Sequence, residues 1–197
     1  IFGGMGFSEE TLVSRAYRDA RINRIFEGTN EINRLLSIGT ILRRALKGHI
    51  DVLGPAKKVQ DELMSLPTDI GIEDGVLSRE MHATKQAKKV LLMVAGAATK
   101  AYGKELESKQ MVMMYIADML IDLFTMESMI LRTQKRAMSE GEATSSDYIA
   151  MTQVFVSDGL ERIHINGKRA IASFAEGDML RMMNSGIKRF TKFDLIN

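Results

Sequence analysis

Apolar positions along this chain recur at helical spacing, and nowhere do they alternate strictly as a half-buried strand would. From about 78 to 102, Met81, Val90, Leu91, Val94, Ala97 and Ala98 mark one long helical pattern. A second runs from about 108 to 138, where Met111, Tyr115, Ala117, Met119, Leu120, Leu123, Met126, Ile130 and Leu131 give a broad apolar face. The stretch Ser139-Glu140-Gly141-Glu142-Ala143-Thr144 ends it. A third spans about 145 to 175, with a shorter helix from Gly177 to about Ile187. Each broad face has to be buried against another, which predicts an all-α antiparallel helical bundle.

The first fifty residues read differently. Ser8 is placed to cap a short helix from about Glu9 to Asp19, with Glu9 and Glu10 at the positive end of its dipole. A break follows at 26–29. Thr29 or Asn30 can then cap a helix whose Ile32, Leu35, Leu36, Ile41 and Leu42 share one side, ending near Gly48. Between His49 and Gly75 the pattern weakens. Gly54-Pro55 and Leu66-Pro67 punctuate it, 68–75 reads as a loop, and one short helix fits at 56–64. The expected organisation is 1–48, a linker at 49–75, and a helical bundle at 76–197.

Composition narrows the function classes. With 45% hydrophobic and 26% charged residues the chain should fold as an ordinary globular protein. It has no cysteine, which removes disulfides and thiol catalysis. A net charge of +2 from 27 basic and 25 acidic residues gives no case for nucleic acid. No apolar run approaches the roughly 20 residues of a spanning helix. Fifteen methionines suit a soft, adaptable helical core. The chain enters directly at Phe2-Gly3-Gly4-Met5-Gly6-Phe7, so it is expected to be a piece of a longer protein.

Candidate chemistry concentrates in Tyr17-Arg18-Asp19-Ala20-Arg21-Ile22-Asn23-Arg24-Ile25-Phe26-Glu27-Gly28-Thr29-Asn30-Glu31. Glu27 stands between bulky Phe26 and permissive Gly28, a setting that can present a carboxylate to a ligand at close range. Desolvation beside Ile25 and Phe26 would raise its pKa and suit it to proton abstraction; a plain surface carboxylate is the alternative. Gly3-Gly4-Met5-Gly6 could cradle phosphates through backbone N–H groups or be a tight turn. Arg18, Arg21, Arg24 and Arg34 read as structural ion-pair partners, Asp19 and Glu31 being within reach.

The segments Phe2 to Phe7, Val13-Ser14-Arg15, Tyr17 to Ile22 and Ile25 to Thr29 resemble, in order and spacing, the end of the acyl-CoA dehydrogenase core. That resemblance implies a glutamate base at Glu27, which takes the α-proton of a fatty acyl-CoA while the β-hydrogen leaves as hydride to FAD. It implies flavin contacts from Thr29, Asn30 and Glu31, and from Phe2, Gly3 and Gly4 on the ADP half of an FAD bound mainly by a neighbouring subunit. Phe26 and Gly28 would lie against the substrate. Leu77-Ser78-Arg79 through Arg136-Ala137-Met138-Ser139-Glu140-Gly141 resembles the helical extension of the very-long-chain branch. There the extension supports a dimer. The connector here lacks a basic amphipathic helix of membrane type, which argues against membrane attachment. The family's partner is an electron-transferring flavoprotein, and a cytoplasmic, bacterial-type location is expected, with a mitochondrial one the alternative. Two other readings stay open: a structural or dimerisation module without activity, and an acyl-CoA oxidase. In either case the chain alone should be inactive.

Two further constellations have structural readings. Glu161-Arg162-Ile163-His164 has the Glu-x-x-His spacing of di-iron bundles, but no second copy of it is present, so no metal is expected. Asp118 and Asp122, one turn apart, are expected to make interhelical ion pairs rather than a catalytic pair.

Overall fold

The computed structural model describes residues 2–65 and 74–193. The expected Leu66-Pro67 break and most of the 68–75 loop lie outside the described residues. Within them the all-α expectation holds. After a 3-10 turn at Gly3–Gly6 come α1 (Leu12–Ile22), α2 (Asn30–Leu46), α3 (Leu53–Leu63), α4 (Ser78–Tyr102), α5 (Gln110–Glu140), α6 (Ser146–Ile171) and α7 (Gly177–Phe190). A second 3-10 turn at Gly103–Ser108 separates α4 from α5.

The first helix starts later than its Ser8 cap suggested. The Ser8 carbonyl accepts from the Thr11 backbone N–H and from the hydroxyls of Thr11 and Ser14. Residues 8–11 therefore form a turn, and Thr11, extended at φ −105°, ψ 144°, precedes the helix. At the other end of the chain, α7 runs on to Phe190 because Ile187 and Phe190 are buried.

Helices α4, α5 and α6 form the antiparallel centre. Lys88 meets Glu127 and the Val76 carbonyl accepts from Gln134, which sets the α4–α5 register. Thr133 meets Thr152 and Asp122 meets Arg162, which sets that of α5 and α6. Val90, Val94, Ile116, Met126, Ile130 and Ile163 are fully enclosed between these helices. Each such side chain contributes about 1.5–3 kcal/mol relative to exposure. A polar pair in this interior is satisfied: the Thr133 and Thr152 hydroxyls lie 2.8 Å apart and the latter also reaches the Tyr148 carbonyl at 2.7 Å.

Three outer helices pack on this centre. Helix α2 runs antiparallel to α5, with Ile38 and Gly39 buried and Arg34 and Arg43 paired to Asp118 and Glu107. Helix α3, in the stretch expected to be a linker with one short helix, packs on α4 and is tied by Glu62 to Lys89 at 2.6 Å. Arg189 on α7 donates to the Glu62 and Ser65 carbonyls at 3.3 Å, satisfying the end of α3. Helix α7 lies along α4 and α6.

Close approach at the α4–α6–α7 junction depends on Gly167. A Cβ there would stand 3.2 Å from Val90 Cγ1 and 3.3 Å from Ile187 Cδ1, both on stiff β-branched side chains. Gly167→Val is expected to cost about 1–3 kcal/mol by overpacking. The midpoint of thermal unfolding should fall by roughly 2–4 °C per kcal/mol. A midpoint equal to wild type would show that the junction is loose.

Candidate functional site

Glu27 sits on a strained turn. Its φ of 54° is in the left-handed region, one of two such non-glycine positions among the described residues, and Gly28 follows at 89°. Holding a non-glycine residue there costs on the order of 1–2 kcal/mol. The turn is closed by three contacts. The Asn30 N–H donates to the Arg24 carbonyl at 3.2 Å, the Asn33 Nδ2 donates to the Gly28 carbonyl at 2.8 Å, and the Asn33 N–H reaches the Thr29 carbonyl at 2.9 Å. A side chain at Gly28 would have to displace Asn33, because a Cβ would stand 2.7 Å from Asn33 Oδ1.

The next helix starts on Thr29. Its side chain accepts the Ile32 N–H at 3.3 Å, so of the two capping candidates Thr29 fills the role. Glu31 follows in the first turn. Its carboxyl is held below the ordinary glutamate range by its own backbone N–H, then by the Thr29 hydroxyl, with Arg34 and Arg24 nearby adding to the effect. This end of α2 thus gathers Glu27, Gly28, Thr29, Asn30 and Glu31 within a single turn.

The pocket expected around the carboxylate is not built by its sequence neighbours. Glu27 is exposed, and Ile25 and Phe26 are 59% and 49% exposed. Desolvation by those two side chains is therefore corrected: they flank the carboxylate without enclosing it. Exposed apolar side chains cluster along this segment, with Leu12, Tyr17, Ile22, Ile32 and Leu36 joining them.

Phe2, Gly3 and Gly4 lie apart. They belong to the 3-10 turn, which is pinned to the start of α1 by Phe7 N–H on the Gly4 carbonyl at 3.1 Å and Thr11 Oγ1 on the Met5 carbonyl at 2.6 Å. Positions 3 and 4 face open space: a Cβ on either glycine would meet nothing within 4 Å. Among the described residues no hydrogen bond or ion pair joins this turn to Phe26–Glu31.

Of the four arginines expected in ion pairs, Arg18 and Arg34 are paired, with Glu9 and Asp118 rather than Asp19 and Glu31, and among the described residues Arg21 and Arg24 have no carboxylate oxygen within 4.0 Å. Arg18 forms a two-pronged pair with Glu9, one prong at 2.8 Å, which lowers the Glu9 pKa. Arg34 Nε lies 2.5 Å from Asp118 Oδ1, and Arg162 meets Asp122 at 2.9 Å, so both aspartates of α5 make interhelical pairs. His164 Nδ1 shares a hydrogen bond with Thr191 Oγ1 at 2.8 Å, and burial together with Lys168 lowers its pKa. Among the described residues no three His, Asp or Glu side chains group as metal ligands.

Sequence reasoning missed Asn33, which closes the turn from inside α2. An amide side chain five residues beyond a glycine gave no signal of its own. The strain at Glu27 was equally hidden, since only Gly28 announced a left-handed backbone.

The strained turn lies in a stretch with known relatives. The profile described as "Acyl-CoA dehydrogenase, C-terminal domain" matches residues 86–189, and a second profile of the same description matches residues 1–42. This chain belongs to the acyl-CoA dehydrogenase family. A probable acyl-CoA dehydrogenase of Bacillus subtilis is 42% identical over 98% of the chain and 32% of its own length. The very long-chain specific mitochondrial acyl-CoA dehydrogenase of Bos taurus is 31% identical over 84% of the chain and 28% of its own. A solved acyl-CoA dehydrogenase complexed with FAD from Bacillus anthracis superposes with a TM-score of 0.89 at 42% identity, covering 99% of this chain and 33% of that one. The chain thus spans about a third of the length of the relatives it matches.

Two expectations follow from the turn. Because the folded pKa of Glu31 is below its unfolded value, ionisation stabilises the start of α2 above the unfolded pKa. That contribution disappears as the pH falls through the lowered folded value. The protection of the Ile32 amide against hydrogen exchange, relative to the unfolded chain at the same pH, should hold steady down to the ordinary glutamate range and fall below it, and Glu31→Gln should remove that dependence. Separately, Gly28→Ala should speed exchange of the Asn30 amide about tenfold, since a side chain in the left-handed region costs about 1–2 kcal/mol. An unchanged rate would mean that the turn adapts freely.

Proposed function

We propose that this chain is the C-terminal part of a flavin-dependent acyl-CoA dehydrogenase, and that Glu27 is its catalytic base. The observation carrying the reading is the strained, exposed carboxylate of Glu27 on the Gly28 turn, inside the stretch that matches the family profile. Strain held at one residue by three surrounding hydrogen bonds is a common feature of reacting groups.

In this reading Glu27 takes up the α-proton of an acyl-CoA thioester, and the trans-2-enoyl-CoA results only because the β-hydrogen leaves as well, as hydride with its electron pair. An α-proton beside a thioester is weakly acidic, so the carboxylate needs a water-poor surrounding and donors to the thioester oxygen. The exposed apolar side chains from Leu12 to Leu36 suit a face covered by the rest of such an enzyme, which would enclose Glu27. Gly28 and Phe26 would then lie against the acyl chain.

FAD, when bound, supplies the acceptor for the β-hydride. The residues present fit it in two places. Gly3 and Gly4 leave their backbone open to close approach, and Thr29, Asn30 and Glu31 at the α2 N-terminus follow Glu27 directly, where a helix start suits an anionic or polar group. Family likeness assigns the two places to two different flavins, Phe2, Gly3 and Gly4 serving one held mainly by a second subunit. That arrangement makes the enzyme a homodimer at least. Family likeness points to an electron-transferring flavoprotein as the acceptor.

The test uses the full-length enzyme carrying Glu27→Gln. Mixed anaerobically with a long-chain acyl-CoA, the variant should keep its yellow flavin while wild type bleaches. The rate should drop by roughly 10²–10⁴, the usual contribution of a positioned acid–base group. Bleaching at the wild-type rate would put the base elsewhere.

A further inference from the structure

Not all the methionines of α7 and α4 are closed inside the core. Met93 and Met183 are nearly buried, but Met179 is 39% exposed, and with Met182, Leu63 and Leu92 they line a groove of about 490 Å³ between α3, α4 and α7. That volume lies within the range of small-molecule pockets, roughly 300–1,000 Å³.

Helices α3, α4 and α7 approach closely at Leu63 and Met93 of this lining, where a Cβ on Gly186 would come within 2.7 Å of Leu63 Cδ2 and 3.0 Å of Met93 Sδ. From there α4 leads from Met93 to Lys100, roughly 10 Å at 1.5 Å per residue, and α3 leads back from Leu63 to Lys57 over a similar span. Both lysines line the groove, as does Gln60. Elsewhere on α4, Lys88 and Lys89 are each neutralised by a glutamate, Glu127 and Glu62. Lys57 and Lys100 have no carboxylate within 4.0 Å among the described residues. A mainly apolar groove with two uncompensated cations at one end is complementary to a single alkyl chain with an anionic head. Methionines suit such a wall, because their unbranched, polarizable side chains adapt to a flexible chain.

We propose that this groove binds a fatty-acid anion, with the alkyl chain between Met93, Met179 and Met182 and the carboxylate at Lys57 and Lys100. The site is built from α3, α4 and α7, whereas Glu27 stands before α2, so it is distinct from the reacting centre proposed above and does not depend on it. Affinity should rise with chain length by up to about fourfold per added methylene while the added groups remain in the groove.

The 197-residue chain, labelled with ¹³C at its methionine methyl groups and titrated with decanoate, gives the direct test. Signals of Met93, Met179 and Met182 should shift saturably, while those of Met5, Met138 and Met151, exposed on other elements, stay in place. The double variant Lys57→Gln/Lys100→Gln, altered only at exposed positions, should bind decanoate roughly threefold to thirtyfold more weakly and decanol as wild type does. Ala97→Phe, which fills the groove wall, should abolish the shifts, with circular dichroism checking that it folds. Three results would overturn the site: Met5 shifting with the same midpoint as Met179, an unchanged affinity in the lysine variant, or shifts seen with anionic lipid vesicles and not with dispersed decanoate.

Discussion

The seam where Ile38 and Gly39 of α2 meet Met113 of α5 holds the candidate site to the helical bundle. Ile38 is 3% exposed and Met113 2%, and a Cβ on Gly39 would make ordinary contact, 3.9 Å, with Met113 Cε. Burial of that kind contributes about 1.5–3 kcal/mol per large side chain. The Arg34–Asp118 and Arg43–Glu107 pairs beside it are one-third to more than one-half exposed, so each contributes roughly 0.2–1 kcal/mol and serves mainly to fix register. Apolar burial attaches the helix, and charge decides how far along α5 it sits. The Glu27 turn stands directly before that helix, so its position relative to the bundle follows from the seam.

This division of labour explains why the turn can be strained. Arg24, Asn30 and Asn33 hold the backbone around Glu27 and Gly28 with short-range hydrogen bonds, while α2 is anchored independently one turn and more away. A left-handed non-glycine residue persists only when its surroundings over-determine it. Here the over-determination comes from the capped N-terminus of a helix that is itself packed at Ile38.

Much of the helical scaffold was legible in the residues. The bounds of α4 could be read because Gly103 follows it, and the two aspartates of α5 could be read as ion-pair partners because carboxylates one turn apart on a broadly apolar helix need counter-charges from its neighbours. Their particular partners could not, since Arg34 and Asp118 are joined only by tertiary structure. Ser8 misled because its hydroxyl, on the Glu10 N–H, and its carbonyl, on the Thr11 N–H, close a turn that stops before α1 begins. Helix α3 looked like part of a connector for a similar reason. Its attachment rests on Gly96, where a Cβ would stand 3.2 Å from Ala56, and on Gly186 beneath Leu63, and neither glycine reveals its neighbour in sequence. In the site, Glu27 and Gly28 were conspicuous, but the exposure of Ile25 and Phe26 was not, because enclosure is a property of distant chain and not of adjacent residues.

The central claim is that Glu27 moves a proton, and the proton step can be watched apart from hydride transfer. An acyl-CoA whose β-carbon bears no hydrogen cannot give up a hydride, so in deuterium oxide it can only exchange at the α-carbon. The full-length enzyme should incorporate deuterium there, and Glu27→Gln should slow the exchange by roughly 10²–10⁴ with flavin still bound. Equal incorporation by the two proteins would contradict the assignment of Glu27 as the base.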